Sequence, residues 1–217
     1  MKKKILLSAV NAKYIHSNLA VRYLKKYCET HIEGIDIAEF SINDNIHNTL
    51  KKLYCSGAHI YGFSCYIWNI GMVLDICGSL KKAKPEAVII LGGPEVSYDP
   101  GEVLANNASI DYVVIGEGEA ALLGLLDCIT YVRGSLSGIP GIAYRSGTDI
   151  VINQPGPDIP NLDMLPFPYN SFDDLKNKII YYETSRGCPF NCQYCLSSTI
   201  HGVRYLSMDR VRRDVKS

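Results

Sequence analysis

The sequence predicts a doubly wound α/β fold, a parallel sheet of five strands with helices on both faces. Three observations predict it. Short, continuous apolar runs recur along residues 1–135, as strands buried on both faces require. Between them lie segments whose apolar residues fall at helical spacing. Glycine-bearing phrases stand at the ends of the third, fourth and fifth runs, where strand must give way to helix.

The first run, residues 5–10, reads as a strand buried on both faces. After a polar turn, residues 18–30 carry Leu19, Tyr23, Leu24 and Tyr27 at helical spacing, with charges between them. Residues 35–40 form the second strand. Ser41-Ile42-Asn43-Asp44 then offers capping side chains for a helix through Leu50 and Tyr54 that stops near Gly57. Residues 59–67 are the third strand and 70–83 the third helix. Pro85 breaks the pattern before 87–91, the most apolar run in the chain, which Gly92-Gly93-Pro94 ends. Residues 110–115 form the fifth strand. Gly116-Glu117-Gly118-Glu119 leads from it into a helix over 120–130. Strands joined through helices become parallel neighbours. Five of them usually take the flavodoxin-like order 2-1-3-4-5, with ligands bound beyond the carboxyl ends of the strands.

The texture then changes. Residues 138–155 hold two short alternating runs around Ser146-Gly147, a hairpin signal. Residues 155–168 are rich in Pro, Asp and Asn and read as a linker. A new strand is expected over 178–184 and a helix over 207–217. These divisions give an α/β domain over 1–135, a hairpin and linker over 136–170, and the start of a second domain over 171–217.

Bulk properties exclude several classes. The 22 acidic and 22 basic residues balance, with no long block of either sign. No nucleic-acid groove or polybasic membrane anchor is therefore expected. The apolar run behind Lys2-Lys3-Lys4 is too short for a signal peptide or a membrane span. A cytoplasmic protein is expected, and its eight cysteines then read as metal-binding or reactive thiols, not disulfides. Cys28, Cys55, Cys65, Cys77 and Cys128 are scattered through apolar segments and read as small buried hydrophobes.

Cys188, Cys192 and Cys195 are clustered, in Glu183-Thr184-Ser185-Arg186-Gly187-Cys188-Pro189-Phe190-Asn191-Cys192-Gln193-Tyr194-Cys195. Thiolates so close on one loop can each bind a different iron of one cluster, and three ligands to four irons leave one iron open. A structural zinc site with His201 as fourth ligand and a Cys192–Cys195 redox pair remain as alternatives. The segment resembles the radical S-adenosylmethionine (SAM) signature, with Gly187 before the first cysteine and Tyr194 before the third. That resemblance implies a [4Fe-4S] cluster on Cys188, Cys192 and Cys195, with SAM chelated at the open iron and cleaved to a 5′-deoxyadenosyl radical. It also implies Tyr194 beside the adenine, and the strand before the loop as the first strand of a truncated (β/α) barrel.

A doubly wound domain ahead of such a barrel is similar to the cobalamin-dependent branch of that family. The matching phrases stand at strand ends: Gly62-Phe63-Ser64-Cys65-Tyr66, Gly92-Gly93-Pro94-Glu95 and Gly116-Glu117-Gly118-Glu119. Glycines there let a bulky ring or nucleotide tail approach the main chain. The resemblance implies Ser64, Tyr66, Gly92, Gly93, Gly116, Glu117, Gly118 and Glu119 as cofactor contacts, with His16 near the pocket. The Asp-x-His-x-x-Gly motif of methionine-synthase-type cobalamin domains is absent, because Tyr14 and Leu19 stand where Asp and Gly would be. His16 thus lacks the carboxylate that would orient it as a cobalt ligand. No Gly-x-Gly-x-x-Gly follows the first strand, against a dinucleotide fold. No paired aspartates follow it either, against a receiver domain.

The resemblance implies a parent enzyme that is a radical SAM oxidoreductase or methyltransferase, akin in architecture to anaerobic Mg-protoporphyrin IX monomethyl ester cyclases. Its partners would be a small-molecule substrate and a cytosolic electron donor. This chain ends about one βα unit into the barrel, so it is expected to be inactive alone, as a corrinoid or small-ligand binding module. Residues after about Leu165 are expected to be poorly packed or loosely docked.

Overall fold

The structure, a computed structural model, describes residues 3–169, 171–190, 192, 193, 195 and 202–216. Five parallel strands form its centre: β1 (Ile5–Asn11), β2 (Ile35–Ser41), β3 (Ile60–Ser64), β4 (Val88–Gly92) and β5 (Tyr112–Val114). They lie in the expected order β2-β1-β3-β4-β5. Pairing is parallel throughout, with Ile5 beside both Ile35 and Ile60 and with Ile60 beside Val88.

Side chains leave each strand alternately to the two faces. Leu6, Val10, Tyr61, Phe63, Ile89, Leu91 and Val113 enter one core, packed by α2 (Ile46–Cys55), α3 (Ile70–Ala83) and α5 (Pro100–Asn106). Ile5, Leu7, Ala9, Ile60, Ile90 and Val114 enter the other, covered by α1 (Leu19–Cys28) and α6 (Gly118–Tyr131). Asn18 caps α1 by accepting from the Val21 amide, and Asn45 caps α2. Two short helices went unforeseen, α4 (Pro94–Ser97) and α5, although each starts with proline at its first turn.

The predicted hairpin forms as β6 (Ile142–Ser146) and β7 (Asp149–Ile152), but it does not stand apart. β6 pairs antiparallel with β5, so the sheet has seven strands and not five. Val114 faces Ile142 across that pairing, and Ile142 and Ala143 are buried.

Two expectations for the C-terminal segment are corrected. Residues 178–184 form no strand, only a single parallel bridge between His16 and Ile179. The strand lies later, in β8 (Ser185–Cys188), and pairs antiparallel with β9 (Gly202–Tyr205) ahead of α7 (Met208–Asp214). Nor are the described residues of the segment loosely docked. Leu162, Leu165 and Leu206 close over Tyr23 in a third apolar cluster. The buried Arg210 side chain donates to the Asp163 and Leu165 carbonyls and to Asp214. Among the described residues no helix is long and apolar enough to cross a membrane.

A candidate cofactor cavity and cysteine loop

The carboxyl ends of the strands are drawn together by side chain and main chain alike. Asn69, at the start of α3, donates from Nδ2 to the Val10 carbonyl at 2.9 Å and to the Ser64 carbonyl at 3.0 Å, and accepts from the Tyr66 amide. It thereby ties the end of β1 to the turn after β3. Gly93 has φ +112°, and a Cβ there would lie 2.5 Å from the Cys65 carbonyl oxygen. Only glycine permits the ends of β3 and β4 to meet this closely. Gly116, at φ +71°, turns β5 toward α6 with open space where a Cβ would stand.

Beyond these ends lies a cavity of about 400 Å³, a size suited to small-molecule and cofactor groups. Ser64, Tyr66, Gly92, Gly93, Gly116, Glu117, Gly118 and Glu119 all line it. Its apolar wall comes from Leu7, Ile90 and Val114 of the sheet, Leu19, Tyr23 and Leu24 of α1, and Leu122 of α6. A Cβ on Gly62 would press on Leu7 Cδ2 at 2.8 Å, and one on Gly118 on Leu24 Cδ2 at 3.1 Å, so both glycines also serve packing. The residues fit a corrinoid: the wall is apolar, the rim is polar, and glycine backbone is exposed at the strand ends.

His16 stands outside this lining. Its Nδ1 lies 2.5 Å from Tyr181 Oη, and the two rings stack with centroids 5.9 Å apart. Residues that sequence reasoning missed include α1's apolar face and, at the rim, Glu183 and Arg186. Tyr66 stacks on Trp68 with centroids 4.5 Å apart and planes nearly parallel.

Glu117 and Glu119 each face arginine. Arg186 reaches Glu119 at 2.9 Å, Glu183 at 2.8 Å and Glu117 at 3.6 Å. Arg204 reaches Glu117 at 2.5 Å, and the Ile159 amide donates to the same carboxylate at 2.8 Å. Burial pushes the Glu117 carboxyl upward, but these hydrogen bonds and the two guanidinium charges outweigh it and hold the group below its ordinary value.

The cysteines divide as their surroundings dictate. Cys28, Cys65 and Cys77 are buried. Burial pushes the thiols of Cys28 and Cys65 up to about 12 and that of Cys77 well above its ordinary value, which leaves them inert at neutral pH. Cys55, the last residue of α2, is exposed and Cys128 in α6 is half-buried, so the expectation of burial fails at these two. Cys188 closes β8. Cys192 and Cys195 share a turn in which the Cys195 amide donates to the Cys192 carbonyl at 3.1 Å. All three are free and half-buried or exposed. Among the described residues no three His, Cys, Asp or Glu side chains converge as a metal site. As a donor set, three thiols within eight residues of one loop fit an iron–sulfur cluster. Tyr194 and His201 lie outside the described residues.

The fold and cavity define a doubly wound ligand-binding domain whose site lies at the carboxyl edge of its sheet, followed by a cysteine-bearing hairpin. Residues 5–126 match the family model of the B12 binding domain, and the chain belongs to that family. It is 30% identical over 175 residues to the 2-(S-pantetheinyl)-carbapenam-3-carboxylate methyltransferase of Streptantibioticus cattleyicolor, covering 72% of this chain and 25% of that protein. The cobalamin-dependent radical SAM methyltransferase TokK of Streptomyces tokunonensis is 27% identical, with the same coverage of 72% and 25%. The chain thus spans about a quarter of the length of these curated relatives. The cobalamin-dependent SAM radical enzyme OxsB, solved with aqua-cobalamin and SAM bound, superposes with a TM-score of 0.79 over 97% of this chain and 31% of that one. At 20% identity that likeness speaks for the fold.

Proposed function

We propose that this chain is the cofactor-holding part of a cobalamin-dependent-type radical SAM enzyme, a methyltransferase or oxidoreductase acting on a small molecule. The observation that carries this reading is the glycine-rimmed cavity of a B12-binding domain, joined by ion pairs to the hairpin that bears Cys188, Cys192 and Cys195. The apolar wall from α1, α6 and the sheet takes the cofactor's buried portion and keeps water from it. At Gly92, Gly93 and Gly116, which line the cavity, a bound cofactor would meet main chain without a side chain in the way. Cys188, Cys192 and Cys195 hold the [4Fe-4S] cluster, and three ligands leave a position for SAM. When bound, the cluster supplies the electron that opens SAM, and cobalamin supplies a carrier for methyl transfer. The electron itself comes from a cytosolic donor.

The test is anaerobic reconstitution with iron and sulfide, with iron quantitation, electron paramagnetic resonance and hydroxocobalamin uptake, and with Cys192→Ala as control. A four-iron signal that changes on adding SAM and is lost in Cys192→Ala is expected, together with stoichiometric corrinoid. Corrinoid uptake without a cluster would make the chain a binding module that catalyses nothing alone. Stoichiometric zinc in place of iron would overturn the radical-enzyme reading.

A further inference from the structure

We infer that Arg186 and Arg204 are positioning residues that couple occupancy of the cavity to the base of the cysteine loop at Cys188 and Gly202, with Glu117 as the clamp between them. The inference rests on the proposed cobalamin reading and extends it to the loop.

The two arginines are direct cross-strand partners in the β8–β9 hairpin, as are Cys188 and Gly202 at its end. Like charges placed opposite each other destabilise a strand pair, and a two-stranded hairpin is marginal to begin with. The hairpin therefore depends on carboxylates from outside itself. Those carboxylates come from the cavity rim. Glu117 meets Arg204 at 2.5 Å through Oε1 and Arg186 at 3.6 Å through Oε2, while Glu119 takes Arg186 at 2.9 Å. The side chains of all four are at most 17% exposed, so their pairing is little screened by salt and demands good geometry. Arg186 lies two residues before Cys188, and Arg204 two residues after Gly202, where the chain returns from the loop. The base of the cysteine loop is thus fixed by groups that also line the cavity. A ligand seated there restricts Glu117 and Glu119 and so holds the loop base. By linkage, a loop held in place favours the ligand to the same degree.

The test reads thiols rather than turnover, on the metal-free chain. Alkylation by N-ethylmaleimide is followed site by site by mass spectrometry, with and without cyanocobalamin, while corrinoid uptake is measured by absorbance after gel filtration. Exposed Cys55 serves as the reactive reference, and buried Cys28, Cys65 and Cys77 report the integrity of the fold. Cyanocobalamin is expected to slow alkylation of Cys188 at least threefold and to leave Cys55 unchanged. Arg204 does not line the cavity, so at saturating cyanocobalamin Arg204→Gln is expected still to take up corrinoid, with an affinity lowered by no more than the lost coupling, and to lose that protection. Protection that survives in Arg204→Gln would be direct shielding by the corrinoid and would overturn the inference. Uptake with no change at Cys188 in the unaltered chain would overturn the inference alone. No uptake would overturn both it and the cobalamin reading. If Cys28, Cys65 or Cys77 becomes reactive in Arg204→Gln, Arg204→Lys decides by the same criterion, since it keeps the charge and loses the two-pronged contact with Glu117.

Discussion

The sheet and the C-terminal segment are held by different forces. In β1, β3 and β4 most side chains are apolar and buried, and the strands are joined along continuous parallel ladders. The described residues of 171–216 contribute little apolar burial beyond Leu175 and Leu206. They are fastened by ions instead: Lys178 and Arg22 on Glu39, Arg22 on Asp174, Arg186 and Arg204 on Glu117 and Glu119, and Arg210 on Asp214. Apolar burial is non-directional and tolerates shifts, whereas these pairs hold only in one geometry. The sheet is thus a scaffold, and the segment that bears the cysteines is a part seated on it.

Leu91→Ala strikes the scaffold. Leu91 is fully buried between β3 and β5, and losing its side chain is expected to reduce global stability by about 2–5 kcal/mol, read from chemical denaturation. A change within about 0.5 kcal/mol, the usual range for surface positions, would break the distinction at once. Gly93→Ala comes next. It combines a φ of +112° with a Cβ 2.5 Å from the Cys65 carbonyl oxygen, and about 1–3 kcal/mol of backbone strain should appear together with weaker corrinoid uptake.

Arg210→Ala strikes the seated part. It removes the donor to Asp214 and to the Asp163 and Leu165 carbonyls, worth about 1.5–3 kcal/mol for hydrogen bonds to or from a charged group. The loss should be local. Hydrogen exchange should quicken in residues 203–215 while amides of β1 and β3 keep their protection. Equal quickening in the sheet would mean that the two regions unfold as one.

The same division explains what could be read beforehand. Helix α3 was legible to the residue, because Ile70, Val73, Ile76, Cys77 and Leu80 fall at helical spacing and all pack on one core. The strands were legible because runs such as 87–91 are apolar at every position, and their order is the usual one for five strands joined by helices. The cavity rim was legible as glycine phrases, although Gly62, Gly93 and Gly118 also answer to packing against neighbours that no local pattern names. Residues 178–184 misled. Ile179, Ile180, Tyr181 and Tyr182 have strand composition, but a strand exists only with a ladder partner, and here the partner is the loop at His16 with a single bridge. The arginine clamp was not legible at all. Glu117 and Arg204 are 87 residues apart, and an ion pair carries no periodicity that a sequence could display.

The smallest effect tests the clamp itself. Because the Glu117 carboxyl lies below its ordinary value in the folded chain, its pairing stabilises the hairpin fully above the unfolded glutamate value of about 4.3. That contribution is lost only as pH falls through the lower folded value. Amide resonances of Arg186 and Val203, followed by NMR from pH 7 downward, should therefore stay fixed to below that ordinary value and then move, while those of β1 and β3 do not. Moderate salt should leave the midpoint nearly in place, since the Glu117 side chain is 12% exposed, whereas the exposed Lys4–Asp36 pair would be screened. A midpoint at or above about 4.3 would mean that the arginines do not hold Glu117. The hairpin would then owe its position to apolar contact, and the contrast between scaffold and seated part would dissolve.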